Sequence, residues 1–493
     1  MDKDKNNHTK TGKNEREVVL DLLLETEHSR RHSHILIHDT LDRCTDMTDS
    51  QRSFIKRLAE GTLERRIELD DIIRRHLKDP EKKLKLTVTC LLRMSIYQIY
   101  YMDSVTDYAA CNEAVKLLKK KGLDFQSGFV NGLLRSVIRE KNGESVPAEN
   151  LSARAVNTGS KAAEQTALLS VKYSMPEEIV SLWERELGSE ETQLLLESLL
   201  EIRPVSIRIR EDISEEETQQ LLSAFSQAGA LVSKGNHLPY AYALSRAGDL
   251  SKLPGFAEGL WTVQDESSML VTEAAGLLGN ETVFDLCAAP GGKTMHAAGR
   301  LPEGRVYAFD VSKDKVQKIG ENIKRMHLEN VKCAVKDARE AVPALEKKAD
   351  VVLCDVPCSG LGVIGKKRDI KYHISSEKLA SLVYLQKSIV RTAASYVRPG
   401  GVLIYSTCTI HQDENEKMAR YIEEELGLVP DPVASFLPES VSPCVKGYEP
   451  MSSDPGKKKR RKLRPDPQGN MVQLLPHRHH TDGFFIARFK KPI

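Results

Sequence analysis

Two short apolar runs break off into polar turns that carry cysteine. Val351-Val352-Leu353 leads into Cys354-Asp355-Val356-Pro357-Cys358, and Leu403-Ile404-Tyr405 leads into Ser406-Thr407-Cys408. A lone cysteine after a strand is commonly a small buried hydrophobe. Two of them, one close to an acid, suggest covalent catalysis by a thiolate. Metal binding is the competing use. Cys354 and Cys358 have Cys-x-x-x-Cys spacing, but the chain has no second close pair and no suitably spaced His partner, so no metal is expected. The cluster His477-Arg478-His479-His480 reads as a polar surface loop. No His or Asn is placed by context as the partner a cysteine protease needs.

A third segment suggests a cofactor. Val283 to Thr294, VFDLCAAPGGKT, reads as a strand, a small-residue turn and the start of a helix. The turn Ala288-Ala289-Pro290-Gly291-Gly292 would admit a ligand close to the backbone and aim helix amides at it. Its spacing is not that of a phosphate loop. Asp310 ends the next strand-like run, where an acid would accept ribose hydroxyls. Asp337 ends the one after, placed for an adenine edge. Each acid alone could be a turn or cap residue; two in succession after a glycine-rich turn point to an adenosine-type ligand. Thiol and adenosine site together suit one reaction. Carbon 5 of cytosine is too weak a nucleophile to take a methyl group directly. A thiolate added at carbon 6 makes it enamine-like, and an acid at ring nitrogen 3 stabilises the charge that develops.

Positioning these groups requires several elements. From about residue 15 to 140 apolar residues recur three or four apart, as in REVVLDLLLETE and LTVTCLLRMSIYQIYYM, which predicts an all-helical domain. Residues 1–14 read as a flexible tail and 141–165, polar and poor in large apolar residues, as a linker. Residues 166–259 mix helical and alternating patterns, predicting a small α/β connector. Residues 260–493 alternate strands with helices, predicting a doubly wound, mostly parallel sheet whose ligand lies beyond the strands' carboxyl ends.

At 493 residues, with 40% hydrophobic and 29% charged residues, the chain has room for two to four domains. No apolar run approaches the roughly 20 residues of a membrane-spanning helix, and a cytoplasmic protein is expected. Nine cysteines in so long a chain do not form a disulfide framework. The net charge of +2 does not announce a nucleic-acid partner, but Lys116–Lys121 (KLLKKK) and Lys457–Arg464 (KKKRRKLR) are locally basic.

The segments DLCAAPGGKT, CDVPCSGLGV, RPGGVLIYSTCTI and DGFFIARF resemble the RsmB (Sun, Fmu) group of bacterial ribosomal RNA cytosine-C5 methyltransferases. The helical part, with CNEAVKLLKK and FVNGLLRSVIRE, is similar to the NusB-like RNA-binding domain at the N-terminus of that group. The resemblance covers residues 15 to about 490. It implies a NusB-like domain, a small α/β RNA-binding connector and a Rossmann-type class I methyltransferase domain that uses S-adenosylmethionine on one cytidine of 16S ribosomal RNA. By the same resemblance Cys408 would be the nucleophile, Cys358 would help release the methylated base, and Asp355 would contact ring nitrogen 3. Cys287 to Lys293 would hold the methionine part of the cofactor, with Asp310 on the ribose, Asp337 near the adenine and Lys293 in the active site. Gln264 to Ser268 resembles the family's lead into the catalytic domain, and a monomer is expected. Arg368 stands where the family pattern has Pro, in what would be a substrate-facing loop. The run 457–464 would be a loop ahead of the last strand pair, clamping RNA phosphates or simply solvated. Two alternatives stay open: the same chemistry on another RNA such as tRNA, or a non-catalytic RNA-binding or antitermination factor.

Overall fold

The computed structural model describes residues 14–29, 31–144, 160–441, 444–448 and 461–493. The tail before Asn14, most of the expected linker and residues 457–460 of the basic run lie outside the described residues. Two compact units divide the chain: one runs to Leu182 and includes Lys366–His373, the other holds Trp183–Gly365 and Ile374–Ile493. In this division residues 166–182 fall with the helical unit.

The first unit is helical, with α1 (Glu15–His28), α2 (Ser33–Arg43), α3 (Asp49–Glu64), α4 (Arg66–Arg75), α5 (Leu86–Tyr101), α6 (Asp107–Lys120), α7 (Ser127–Lys141) and α8 (Lys161–Lys172). Side-chain caps start several of them: Asn14 accepts from Glu17 N, Thr106 from Ala109 N, and Thr48 forms a capping box with Gln51. Helix α5 is apolar around most of its circumference and is accordingly buried along most of its length, among Leu20, Ile55, Leu58, Leu117 and Leu134. Its one charge, Arg93, is matched by a bidentate bond to Asp70 (2.6 and 2.8 Å) and another to Glu27 (2.9 Å).

The segment Lys366–His373 supplies polar contacts to this unit. Arg368 pairs with Glu60 and Glu64 of α3, both at 3.1 Å. Arg368 is thus an ion-pair residue against α3, where the sequence suggested a substrate-facing loop. Fully buried Lys371 donates to the carbonyls of Glu64 (2.8 Å) and Ser174 (2.6 Å). In the basic run on α6, Lys120 bonds Glu17 (2.9 Å) and Lys116 bonds Glu113 (2.8 Å).

The second unit begins within α9 (Glu177–Leu187) and continues with α10 (Ser189–Leu199). A four-stranded antiparallel sheet follows, in the order β2 (Leu231–Lys234), β3 (Ala241–Ser245), β1 (Val205–Ile209), β4 (Trp261–Val263). With α11 (Glu215–Gln227) it encloses a core in which Phe225 meets Trp261 edge-on at 5.4 Å. Next come α12 (Glu266–Ala275), β5 (Thr282–Asp285), α13 (Gly292–Gly299), β6 (Arg305–Asp310), α14 (Lys313–Arg325), β7 (Val331–Val335) and β8 (Ala349–Asp355). The chain then runs through α15 (Ser376–Tyr396), β9 (Val397–Thr407), α16 (Glu416–Leu426) and β10 (Val429–Pro430). It closes with β11 (Cys444–Tyr448), β12 (Arg461–Pro465), β13 (Met471–Leu474), α17 (Pro476–His479) and β14 (Phe484–Lys490).

Strands β7-β6-β5-β8-β9 are parallel and β14 joins β9 antiparallel, followed by β13, β11 and β12. The chain works outward from β5 to β7, then returns to β5's other side with β8. That reversal makes the β5/β8 edge the switch point at which such sheets bind ligands. Residues 461–464 of the basic run belong to β12, paired with β11, and not to a loop.

Candidate functional site

Register alone brings the chemical residues to one edge. Asp285 pairs with Leu353 across β5/β8, and Asp355 with Ser406 across β8/β9. The turns after β5, β8 and β9 therefore open side by side. Their side chains converge: Lys293 Nζ lies 2.8 Å from Asp355 Oδ2, and Ser406 Oγ donates to Asp355 Oδ1 at 2.9 Å. Beyond the same strand ends, Cys358 Sγ and Cys408 Sγ are 3.3 Å apart. The Lys293 ammonium also sits 5.1 Å over the ring of Phe484, which begins β14.

The thiols differ in character. The hydrogen bond with Cys408, and then burial, push the Cys358 thiol well above its ordinary range. Cys354 lies in the apolar core with no exposure, and burial raises its thiol too. It packs as a small hydrophobe, while Cys358 points to Cys408. Burial likewise raises the thiol of Cys287.

The turn after β5 is tightly packed on its own chain. Ala289-Pro290 is cis, and Gly291 has φ 108°, with a side chain there meeting Met295 Cε at 2.1 Å. Asp285 anchors the turn from below by accepting from Thr294 Oγ1 (2.6 Å). Burial pushes its carboxyl up to about 6, and Oδ1 has no protein partner. Asp310, at the end of β6, accepts Ala289 N (3.3 Å) on one oxygen and Ser312 N (3.2 Å) on the other. Oδ1 also faces Lys315 Nζ at 3.7 Å, while Oδ2 retains an acceptor position for a ligand hydroxyl. Asp337 follows β7 and is engaged by Arg339, from its backbone N (2.9 Å) and from Nε (3.0 Å). That side-chain bond holds its carboxyl below the usual range.

The sequence reading missed the groups behind the thiols. Glu414, Asn415, Gln386, Ser359 and Thr409 are all buried and hydrogen-bonded to one another or to the cysteine segments. The only local signal is the acidic stretch Gln412–Glu416 following the Cys408 turn. The histidine cluster also differs from expectation. His477, like Arg478, bonds Glu191 of α10, and His479 Nδ1 accepts from Leu475 N at 2.9 Å, so both histidines anchor structure and are not surface decoration. Among the described residues, no group of three His, Cys, Asp or Glu side chains could hold a metal ion, and no helix is long and apolar enough to cross a membrane.

Fold and site together define a Rossmann-type methyltransferase domain carried on a chain that starts with a NusB-type helical domain. Residues 276–490 match the family described as 16S rRNA methyltransferase RsmB/F, and residues 13–139 match the NusB family. The probable ribosomal RNA small subunit methyltransferase B of Bacillus subtilis (strain 168) is 33% identical over 480 residues, 97% of this chain and 98% of that one. Its counterpart in Synechocystis sp. is 30% identical, covering 90% of this chain and 92% of that one. The solved structure of PH0851 superposes with a TM-score of 0.70 at 25% identity, over 98% of this chain and 100% of that chain. A methyltransferase homologue from Pyrococcus horikoshii shares the fold at 24% identity, with a TM-score of 0.53 over 67% of this chain and 99% of that one. The chain belongs to the RsmB/F methyltransferase family.

Proposed function

We propose that this protein methylates carbon 5 of one cytidine in 16S ribosomal RNA through a covalent bond from Cys408 to the base. The observation that carries the reading is the Cys358–Cys408 pair, 3.3 Å apart, on the same strand edge as the Lys293–Asp355 pair. The names of the relatives supply the RNA, and the family supplies the methyl transfer.

S-adenosylmethionine, when bound, supplies an electrophilic methyl group. The turn Cys287–Lys293, at the carboxyl end of β5 beside the switch point, would hold its methionine part, and Asp310 has acceptor capacity for its ribose. Asp337, one strand further along the same edge, is the residue nearest the adenine in this reading.

The chain's own residues do the rest. Cys408 as thiolate adds to carbon 6, and the electron pair of the 5,6 double bond moves into the ring. The Asp355–Lys293 pair at ring nitrogen 3 stabilises the charge arriving there. Carbon 5, now enamine-like, would take the methyl group as its bond to the cofactor's sulfonium sulfur breaks, leaving the neutral thioether. Water takes the carbon 5 proton, the electron pair of that C–H bond re-forms the double bond, and the Cys408 sulfur leaves as thiolate. Cys358 serves this release, its S–H hydrogen-bonded to the departing sulfur. The base must leave its stack to enter such a site, and RNA binding is shared by the helical domain, the connector and the catalytic domain. An intact thiol pair has no use in a factor that only binds RNA.

The test is to incubate the protein with labelled S-adenosylmethionine and unmodified 16S RNA, then map 5-methylcytidine. Methylation at a single cytidine is the expected result. Transfer to tRNA and not to 16S RNA would overturn the substrate, and a methyl group on any other atom would overturn the chemistry.

A further inference from the structure

The thiol pair must be held by something, because both cysteines lie on turns and not within strands. We infer that Glu414 is the positioning residue that sets the distance between Cys358 and Cys408, a role that rests on the two-thiol reading above. The Glu414 side chain is completely buried in the turn after Cys408. Its Oε2 accepts from Ser359 N (2.9 Å) and Gln386 Nε2 (2.8 Å), and its Oε1 accepts from Ser359 Oγ and faces His411 Nδ1 at 3.3 Å.

These contacts reach both thiols through their chain neighbours. Ser359, which Glu414 holds at two atoms, follows Cys358, and Gln386 Nε2 also donates to Pro357 O (3.0 Å), which precedes it. Ser359 Oγ in turn is 2.6 Å from the hydroxyl of Thr409, which follows Cys408. Asn415 completes the clamp, its Oδ1 accepting from Thr407 Oγ1 (2.6 Å) and its Nδ2 donating to Thr409 O (3.1 Å). The residues on either side of each cysteine are thus tied to one buried Glu-Asn pair or to its partner Gln386.

A carboxylate is the group this geometry demands. Both of its oxygens act as acceptors toward converging donors, which offsets the cost of burying the group. An amide of the same shape would set its NH2 either against Ser359 N and Gln386 Nε2, both donors, or against Ser359 Oγ and His411 Nδ1, whose donor roles would have to reverse. The thiol turns would then have to shift, and a displacement of about 1 Å at a reacting centre costs on the order of 100-fold in rate.

The experiment compares wild type, Glu414→Gln and Ser359→Ala. Diamide, which takes two hydrogens as it converts a thiol pair to a disulfide, reports the Cys358–Cys408 distance without RNA or cofactor. We expect Glu414→Gln to form that disulfide at least about tenfold more slowly and to lose about 100-fold in kcat at unchanged KM for RNA. Cofactor affinity and melting temperature should stay at wild-type values. If Glu414→Gln does not fold, Ser359→Ala decides: it keeps the carboxylate, loses the hydroxyl link to Thr409, and should show the same slowing in milder form. Wild-type disulfide rates and kcat in a folded Glu414→Gln, or in Ser359→Ala where that variant decides, overturn the inference. Because the disulfide assay needs no substrate, it stands even if wild type methylates something other than cytosine.

Discussion

Cys358 and Cys408 are 50 residues apart in the chain, yet their sulfur atoms lie 3.3 Å from each other. The closeness follows from strand register: Asp355 and Ser406 are paired across β8 and β9, and each thiol sits just past its partner of that pair. The hydrogen bond between them, together with burial, raises the Cys358 thiol above its ordinary range.

Replacing Cys408 by Ala should abolish methyl transfer while leaving cofactor binding intact, since the cofactor turn is built from β5 and α13. Steady-state transfer assays with equilibrium binding of S-adenosylmethionine check this. Residual turnover above about a thousandth of wild type would mean that another group attacks.

Asp355→Asn tests the charge at ring nitrogen 3. The change removes the carboxylate partner of Lys293 (2.8 Å) and of Ser406 Oγ (2.9 Å). We expect kcat to fall by about 10²–10³-fold, the effect of losing one transition-state hydrogen-bonding group. The KM for the cofactor should change little. An Asn variant with full kcat would remove Asp355 from the mechanism.

Gly362→Ala should destabilise the second unit. A Cβ at Gly362 would lie 1.8 Å from the carbonyl oxygen of Gly483, and Gly362 N donates to Cys408 O at 3.0 Å. Neither backbone can yield without moving the other, so a loss of about 1–3 kcal/mol or more is expected. Denaturant unfolding measures it, and an unchanged midpoint would show that the two segments are not in contact.

The pH dependence of stability should reflect Lys371. Burial lowers its ammonium from 10.5 to about 7 in the folded protein. Between those values the unfolded chain binds the extra proton, so this residue's contribution to stability rises with pH from about 7 toward 10.5 and is flat below. Unfolding at pH 7 and pH 9 should show wild type gaining stability relative to Lys371→Met. The Met variant should be weaker at pH 9, because the carbonyls of Glu64 and Ser174 lose their donor. Identical pH slopes in the two proteins would contradict the lowering of the Lys371 ammonium by burial.

Much of the catalytic edge was legible because a βα repeat leaves few choices. An apolar run ending in Asp355 or Cys408 must place that residue at the carboxyl end of a strand, and the glycine-rich turn marks where the sheet reverses. Glu414 was illegible for the opposite reason. Gln412–Glu416 has the composition of a solvated turn, and its burial depends on Gln386, Ser359 and Tyr405 from other elements. Arg368 and Lys371 likewise read as a basic loop, since nothing local says that α3 presents two acids and a free carbonyl to them. The helical segment 166–182 could not be assigned from its pattern either. Periodicity shows that a helix has an apolar face, not which core that face enters.

The most direct test of the central claim uses Cys358→Ala, in which release of the base should be impaired. The variant would be incubated with unmodified 16S RNA and S-adenosylmethionine, digested with nuclease and protease, and examined by mass spectrometry of the peptide containing Cys408. A methylated cytidine nucleotide attached to Cys408 is expected, absent when the cofactor is omitted or when Cys408 is also changed to Ala. An adduct on a different residue, or methylated RNA with no adduct at any stage of the reaction, would contradict it.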